Sequence, residues 1–102
     1  MKKLFISQPM RGKTDVEILA ERDKAIQCAK EALHEEVEAI DSFFKDAPVC
    51  NRPLWFLSES LKLLATADVA YFAKGWDEAR GCKIEHTCAL EYGIPVVEAT
   101  MV

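Results

Sequence analysis

The residues of this 102-residue chain with the most chemical capacity gather in two stretches. The first, Ser7-Gln8-Pro9-Met10-Arg11-Gly12-Lys13, combines a hydroxyl, an amide and a guanidinium with a proline and a glycine that punctuate a loop. Placed before a helix, such a loop offers backbone N–H groups, the helix dipole and Arg11 to an anion such as phosphate. It lacks the glycine spacing of a Walker loop or of a dinucleotide-binding turn, so an ordinary turn with an exposed Arg11 stands beside the phosphate reading. The second stretch runs from Gly81 through Cys82 and Glu85 to His86 and Cys88. A carboxylate near a helix N-terminus is favoured in its ionised form, which is the form a nucleophile needs, although a surface capping glutamate would have the same spacing. Cys82 and His86 at i and i+4 could face one zinc ion, but Cys88 points elsewhere on the helix and a fourth ligand has no source, so no metal site is expected.

The elements that must position these groups follow from periodicity. Leu4-Phe5-Ile6 is a short apolar strand ending in the first loop. Thr14-Asp15-Val16-Glu17 fits a capping box, and Val16, Leu19, Ile26, Ala29 and Leu33 recur at helical intervals. This predicts a helix over about 15–34 with Glu21, Arg22, Asp23, Lys24 and Lys30 largely on its outer face. Val37-Glu38-Ala39-Ile40 reads as a second strand ending at Asp41, and residues 42–52 as a loop. Pro53 pre-sets the first turn of a second helix with Leu54, Leu57, Leu61 and Leu64 as its buried stripe. Residues 68–73 make a third strand, 74–81 a polar loop, and Cys82 to Tyr92 a third helix stopped by Gly93 and Pro95. Val96-Val97 make a fourth strand.

The order β-α-β-α-β-α-β predicts an α/β fold, a flavodoxin or Rossmann-like three-layer sandwich around a four-stranded parallel sheet. In such sheets ligands sit beyond the carboxyl ends of the strands where strand order reverses, which directs attention to loops 7–13, 41–52 and 74–81. Phe43, Phe44, Trp55, Phe56 and Trp76 fall in or beside those loops, suited to core packing, a subunit interface or base stacking.

Composition bounds the function classes. A length of 102 residues predicts one domain, 1–102, large enough for a core without staples. Thirteen Lys plus Arg against 17 Asp plus Glu give a formal charge of −4, which disfavours a nucleic acid polymer or an anionic membrane as partner. The apolar run at the N-terminus is too short for a signal-peptide core, and no run approaches the roughly 20 residues that span a bilayer. A cytoplasmic location is therefore expected, with the four cysteines kept as thiols.

The segment Phe5-Ile6-Ser7-Gln8-Pro9-Met10-Arg11-Gly12, taken with Gly81-Cys82-Lys83-Ile84-Glu85-His86-Thr87-Cys88-Ala89-Leu90-Glu91-Tyr92-Gly93-Ile94-Pro95-Val96-Val97, resembles the nucleoside 2-deoxyribosyltransferase superfamily. The second stretch is similar to that family's pattern of Gly, then Glu four residues later, then a helix ending in Gly-x-Pro and a strand. The first resembles the Ser-x-x-Arg-Gly phosphate loop of the branch that cleaves 2′-deoxynucleoside 5′-monophosphates. Among compact members, the chain most resembles small uncharacterised domains of phages and bacteria.

The resemblance implies cleavage or transfer at the N-glycosidic bond of a nucleoside or nucleoside 5′-monophosphate, with Glu85 attacking the anomeric carbon. Arg11, Ser7 and the amides of the loop through Gln8, Pro9, Met10 and Gly12 would hold a 5′-phosphate, with Asp41, Ser60, Asp77 and Gly81 as further substrate-binding candidates at the same edge. Where the family commonly has an Asp early in the helix before the third strand, this chain has Ser60 with Glu59 beside it, so Glu59 is the candidate second carboxyl. Where the transferase branch has an Asp two residues before its glycine, this chain has Ala79. The implied reaction needs no metal or other cofactor. Family members usually build their pockets between subunits, which makes a homodimer or higher homo-oligomer the expected assembly. A non-catalytic nucleotide-binding or sequestering protein would use the same fold and loop, and a scaffold without a small ligand is the third reading.

Overall fold

The structure, a computed structural model, describes residues 1–9, 12–41 and 53–99. Four strands, β1 (Lys2–Ser7), β2 (Val37–Ala39), β3 (Val69–Phe72) and β4 (Val96–Glu98), alternate with three helices, α1 (Asp15–Leu33), α2 (Pro53–Leu64) and α3 (Arg80–Glu91). All strand pairs are parallel and the sheet order is β2-β1-β3-β4. The predicted α/β architecture is therefore the observed one. Strand order reverses between β1 and β3, whose register sets Ser7 opposite Phe72. That places the topological switch point beside the end of β1.

Alternation along β1 divides the core. Leu4 and Ile6 pack with Ala25 and Ala29 of α1 and with Val69 and Tyr71. Phe5 packs on the other face with Leu64 of α2, Ala70, Phe72 and Ala89 of α3. Both faces of β1 and β3 are covered, which is why these strands read as continuous apolar runs. Tyr71 lies in the covered layer, and burial with a Cys28 contact raises its phenol pKa.

The capping box at the start of α1 forms as the sequence predicts. Thr14 accepts from Glu17 N–H, and the Glu17 side chain accepts in return from Thr14 N–H. Gly93 takes a left-handed φ of 74° after α3. Three expectations need correction. The buried stripe of α1 is Ile18, Arg22, Ala25 and Ala29, whereas Val16 and Leu19 are 77% and 45% exposed. Ala29 is buried and Ile26 and Leu33 pack on the core as expected, so the departure is confined to the first turns, where Ile18 and Arg22 face inward in place of Val16 and Leu19. In α2 only Leu64 is buried, and Leu54 is 73% exposed at the far end from the Leu64 contact. The 74–81 segment is also more ordered than a polar loop. Residues 76–78 form one turn of 3-10 helix, and α3 starts at Arg80, two residues before Cys82.

Among the described residues no helix is long and apolar enough to cross a membrane.

Candidate functional site

Odd-numbered residues of β1 face α2 and α3, so Ser7 at the strand end continues the Phe5 side of the sheet. Glu85 projects from the second turn of α3 toward the same place. Ser7 Oγ donates to Glu85 Oε1 at 2.6 Å, with both residues buried. Ser60 of α2 brings a second hydroxyl close enough to lower the pKa of the same carboxyl group. Three of the residues singled out in the sequence, Ser7, Ser60 and Glu85, thus meet at the carboxyl edge of the sheet.

Burial pushes the Glu85 carboxyl above its ordinary pKa, and the Ser7 and Ser60 hydroxyls pull against that shift. The sequence expectation of a dipole-favoured carboxylate is corrected by this. Glu85 is the sixth residue of α3, beyond the first turn in which the dipole is felt, so loss of water dominates. Cys82, one turn earlier, is also buried, and its thiol is pushed up to about 11, chiefly by burial with Glu85 adding to the shift. A thiol held protonated is a poor nucleophile and a poor metal ligand. His86 is engaged with other partners. Its ring stacks on Trp76 at 4.0 Å and 16°, meets Phe72 edge-on, and its Nε2 lies 2.8 Å from Glu98 Oε2. Among the described residues no group of three or more His, Cys, Asp and Glu side chains is placed to hold a metal ion.

The first loop is anchored by its own polar groups. Gln8 is buried and its Nε2 donates to the Ile18 carbonyl at 3.1 Å, whereas its Oε1 is buried without a partner. Pro9 packs against the loop after β3. A Cβ on Gly75 would meet Pro9 Cγ at 3.4 Å, and Gly75 has a left-handed φ of 88°. Ala73 N–H bonds the Ser7 carbonyl at 2.9 Å, so the two loops are joined at the switch point. Gly12 is exposed with φ 78° and open space around it. Met10 and Arg11 lie outside the described residues, as do Phe43 and Phe44.

The remaining candidates are spread along the edge. Gly81 lies in the first turn of α3, and Asp77 is exposed in the 3-10 turn. Glu59 pairs with Lys62 at 2.7 Å on the more exposed side of α2. Asp41 is exposed and lies within electrostatic reach of Arg22, a residue whose charge predicts a place on the outer face. Arg22 is only 8% exposed and donates from Nη2 to the Ile40 carbonyl at 2.7 Å. Burial lowers its pKa and Asp41 opposes the shift. The one sequence signal that could have marked Arg22 is its place four residues after Ile18 and three before Ala25, within the true buried stripe. Trp55 and Phe56 of α2 meet edge-to-face at 5.0 Å.

No family model matches the chain, and no curated protein matches its sequence. A solved structure of a 2-deoxyribosyltransferase from the psychrotolerant bacterium Bacillus psychrosaccharolyticus, described as a biocatalyst for the synthesis of antiviral and antitumoral nucleosides, superposes with a TM-score of 0.62. The match is 13% identical and covers 98% of this chain and 76% of that one. The chain has the α/β fold of that 2-deoxyribosyltransferase.

Proposed function

We propose that the chain binds a nucleoside or nucleoside 5′-monophosphate and cleaves or transfers at its N-glycosidic bond, with Glu85 as the nucleophile. The observation that carries this reading is the 2.6 Å bond from Ser7 to Glu85 at the switch point between β1 and β3. It orients one carboxyl oxygen at the edge where open α/β sheets receive ligands. Similarity of fold to a 2-deoxyribosyltransferase supports the choice of substrate class.

In this reading a Glu85 oxygen bonds to C1′ as the C1′–N bond breaks, and the electron pair leaves with the base. Water or a second base then attacks C1′ and frees the carboxylate. The departing nitrogen takes its proton from water or from Glu59, whose pairing with Lys62 must open for that role. Arg11, Ser7 and the loop around Gln8, Pro9, Met10 and Gly12 hold the 5′ end, and Asp41, Asp77 and Gly81 border the same edge. The reaction draws on no metal or cofactor. Two copies of the chain pairing through the exposed Leu54 end of α2 would make the homo-oligomer that the resemblance implies, and light scattering at micromolar concentration tests it.

A second reading, a nucleotide binder without turnover, is favoured by the burial of Glu85, whose Oε1 is already engaged by the Ser7 hydroxyl. Chromatography of free base after incubation with deoxynucleosides and their 5′-monophosphates separates the two. Catalysis predicts base release that Glu85→Gln abolishes while binding persists. Thermal stabilisation by an unconsumed ligand supports the binder, and the enzymatic reading fails if no base is released from any of the panel.

A further inference from the structure

We infer that His86 is a positioning residue for Glu85. Stacked on Trp76 and tied to Glu98, it holds the start of α3 in place of a helix cap and keeps the Glu85 carboxyl aligned with the Ser7 hydroxyl. The inference rests on the nucleophile reading above and gives Trp76, His86 and Glu98 a part in the same site.

The need arises at the start of the helix. Ala79, the N-cap residue of α3, has an extended backbone but no side chain that accepts from a free N–H, and the first turn carries no acidic residue. Gly81 at the second helical position adds backbone freedom. A helix that begins in this way frays from its first turn unless something else holds it. Glu85 lies in the second turn, so its carboxyl would share in that motion.

The packing that takes the place of the cap spans the same turns. Trp76, in the 3-10 turn before α3, stacks on the His86 ring with centroids 4.0 Å apart and planes 16° apart. The stack closes the stretch from 77 to 85 at both ends. Phe72, at the end of β3, meets His86 edge-on at 4.8 Å and Trp76 at 5.7 Å. In the sheet Phe72 stands opposite Ser7 on one side and Glu98 on the other, so the clamp is built on the strand next to the one that carries Ser7. Glu98 Oε2 lies 2.8 Å from His86 Nε2. A carboxylate only accepts, so Glu98 holds that nitrogen as the donor and sets the plane of the ring. With 13% of its side chain exposed, His86 acts through these contacts rather than on a substrate. Glu85 and His86 are consecutive, and the turn that presents the carboxyl is the turn that the ring pins. The 2.6 Å bond from Ser7 is directional and weakens with small shifts of that turn.

NMR titration of the Glu85 carboxyl and base-release kinetics on the deoxynucleoside panel test this in the full chain, in His86→Leu and in Glu98→Ala, each with and without Ser7→Ala. In the unaltered chain Ser7→Ala raises the Glu85 pKa. In either variant it should do so by less than half as much, because the hydroxyl is already out of line. His86→Leu should lower kcat at least tenfold and Glu98→Ala at least threefold, with KM within twofold in both. Ala79→Ser, which supplies the missing cap, should restore most of the kcat lost in His86→Leu. Glu98 is half exposed on an edge strand, so Glu98→Ala carries the test if His86→Leu does not fold. A full-sized effect of Ser7→Ala in the variants, a loss confined to KM, or no recovery with Ala79→Ser overturns the inference and leaves the proposed function standing. Absence of base release from the unaltered chain overturns the proposed function, and the titration alone then decides the role of His86.

Discussion

Ser7 and Glu85, 78 residues apart in the chain, share a hydrogen bond of 2.6 Å that ties the end of the central strand to the second turn of the last helix. The carboxyl group has little water to fall back on, so removing the hydroxyl acts on both its acidity and the stability of the fold. Ser7→Ala should raise the Glu85 pKa further and shift the acidic limb of any pH–rate profile upward. The lost bond should cost about 1–2 kcal/mol in urea unfolding. An unmoved pH limb with unchanged stability would contradict the contact.

The raised pKa of Glu85 makes stability depend on pH in a defined direction. A folded-state pKa above the unfolded value contributes stability that is complete below the unfolded pKa and is lost as pH rises through the folded one. Glu85→Gln should therefore match the parent chain near pH 4 and melt at a higher temperature at pH 7–8. The gap grows by about 1.4 kcal/mol for each pH unit that separates the folded pKa from the unfolded one. Melting curves across pH 4–8 measure this, and a gap that narrows as pH rises would reverse the sign.

Arg22 holds the end of β2 to α1 through the Ile40 carbonyl. Arg22→Met preserves the apolar stem and deletes the donor, and should destabilise the fold by about 1–3 kcal/mol. Arg22→Lys should recover only part of this, because an ammonium on a different stem does not reproduce the planar guanidinium. Denaturant midpoints of the two variants provide the comparison; a fully stable Arg22→Met would show the bond to be dispensable.

Gly75 joins the loops at the switch point with φ 88° and Pro9 Cγ 3.4 Å from where a Cβ would stand. Gly75→Ala carries a left-handed backbone cost of about 1–2 kcal/mol, with slight crowding of Pro9 added. Ligand affinity should fall along with the melting temperature because the same contact shapes the first loop. Gly12→Ala has the backbone cost without the crowding, since its surroundings are open, and serves as the comparison.

Much of the architecture is legible from short-range rules. Leu4-Phe5-Ile6, the Thr14–Glu17 box, Pro53 at the start of α2 and Gly93 after α3 each encode an element through a local cause, and each element is formed. Tertiary partners are what sequence periodicity does not carry. The charge of Arg22 points it outward, yet its acceptor lies 18 positions away at the end of β2. The apolarity of Val16 and Leu19 points them inward, yet they lie outside the stripe that Ile18 and Arg22 define. Glu85 and Ser7 are legible as candidates from the stretches they occupy. Their acidity is not, because the dipole argument depends on sequence position and the desolvation that outweighs it depends on packing. Ser60 stands out only as a departure from a family pattern, and its effect on Glu85 needs the packing of α2 on α3.

The two hydroxyls that lower the Glu85 pKa hang from supports of unequal stiffness. Ser7 belongs to a strand hydrogen-bonded on both sides in the middle of the sheet, whereas Ser60 belongs to a helix that buries only Leu64. Breathing of the molecule will loosen the Ser60 tether long before the Ser7 one, so amide exchange should be fast in α2 and slow in β1. The proton affinity of a single carboxyl is thereby linked to the seating of a peripheral helix.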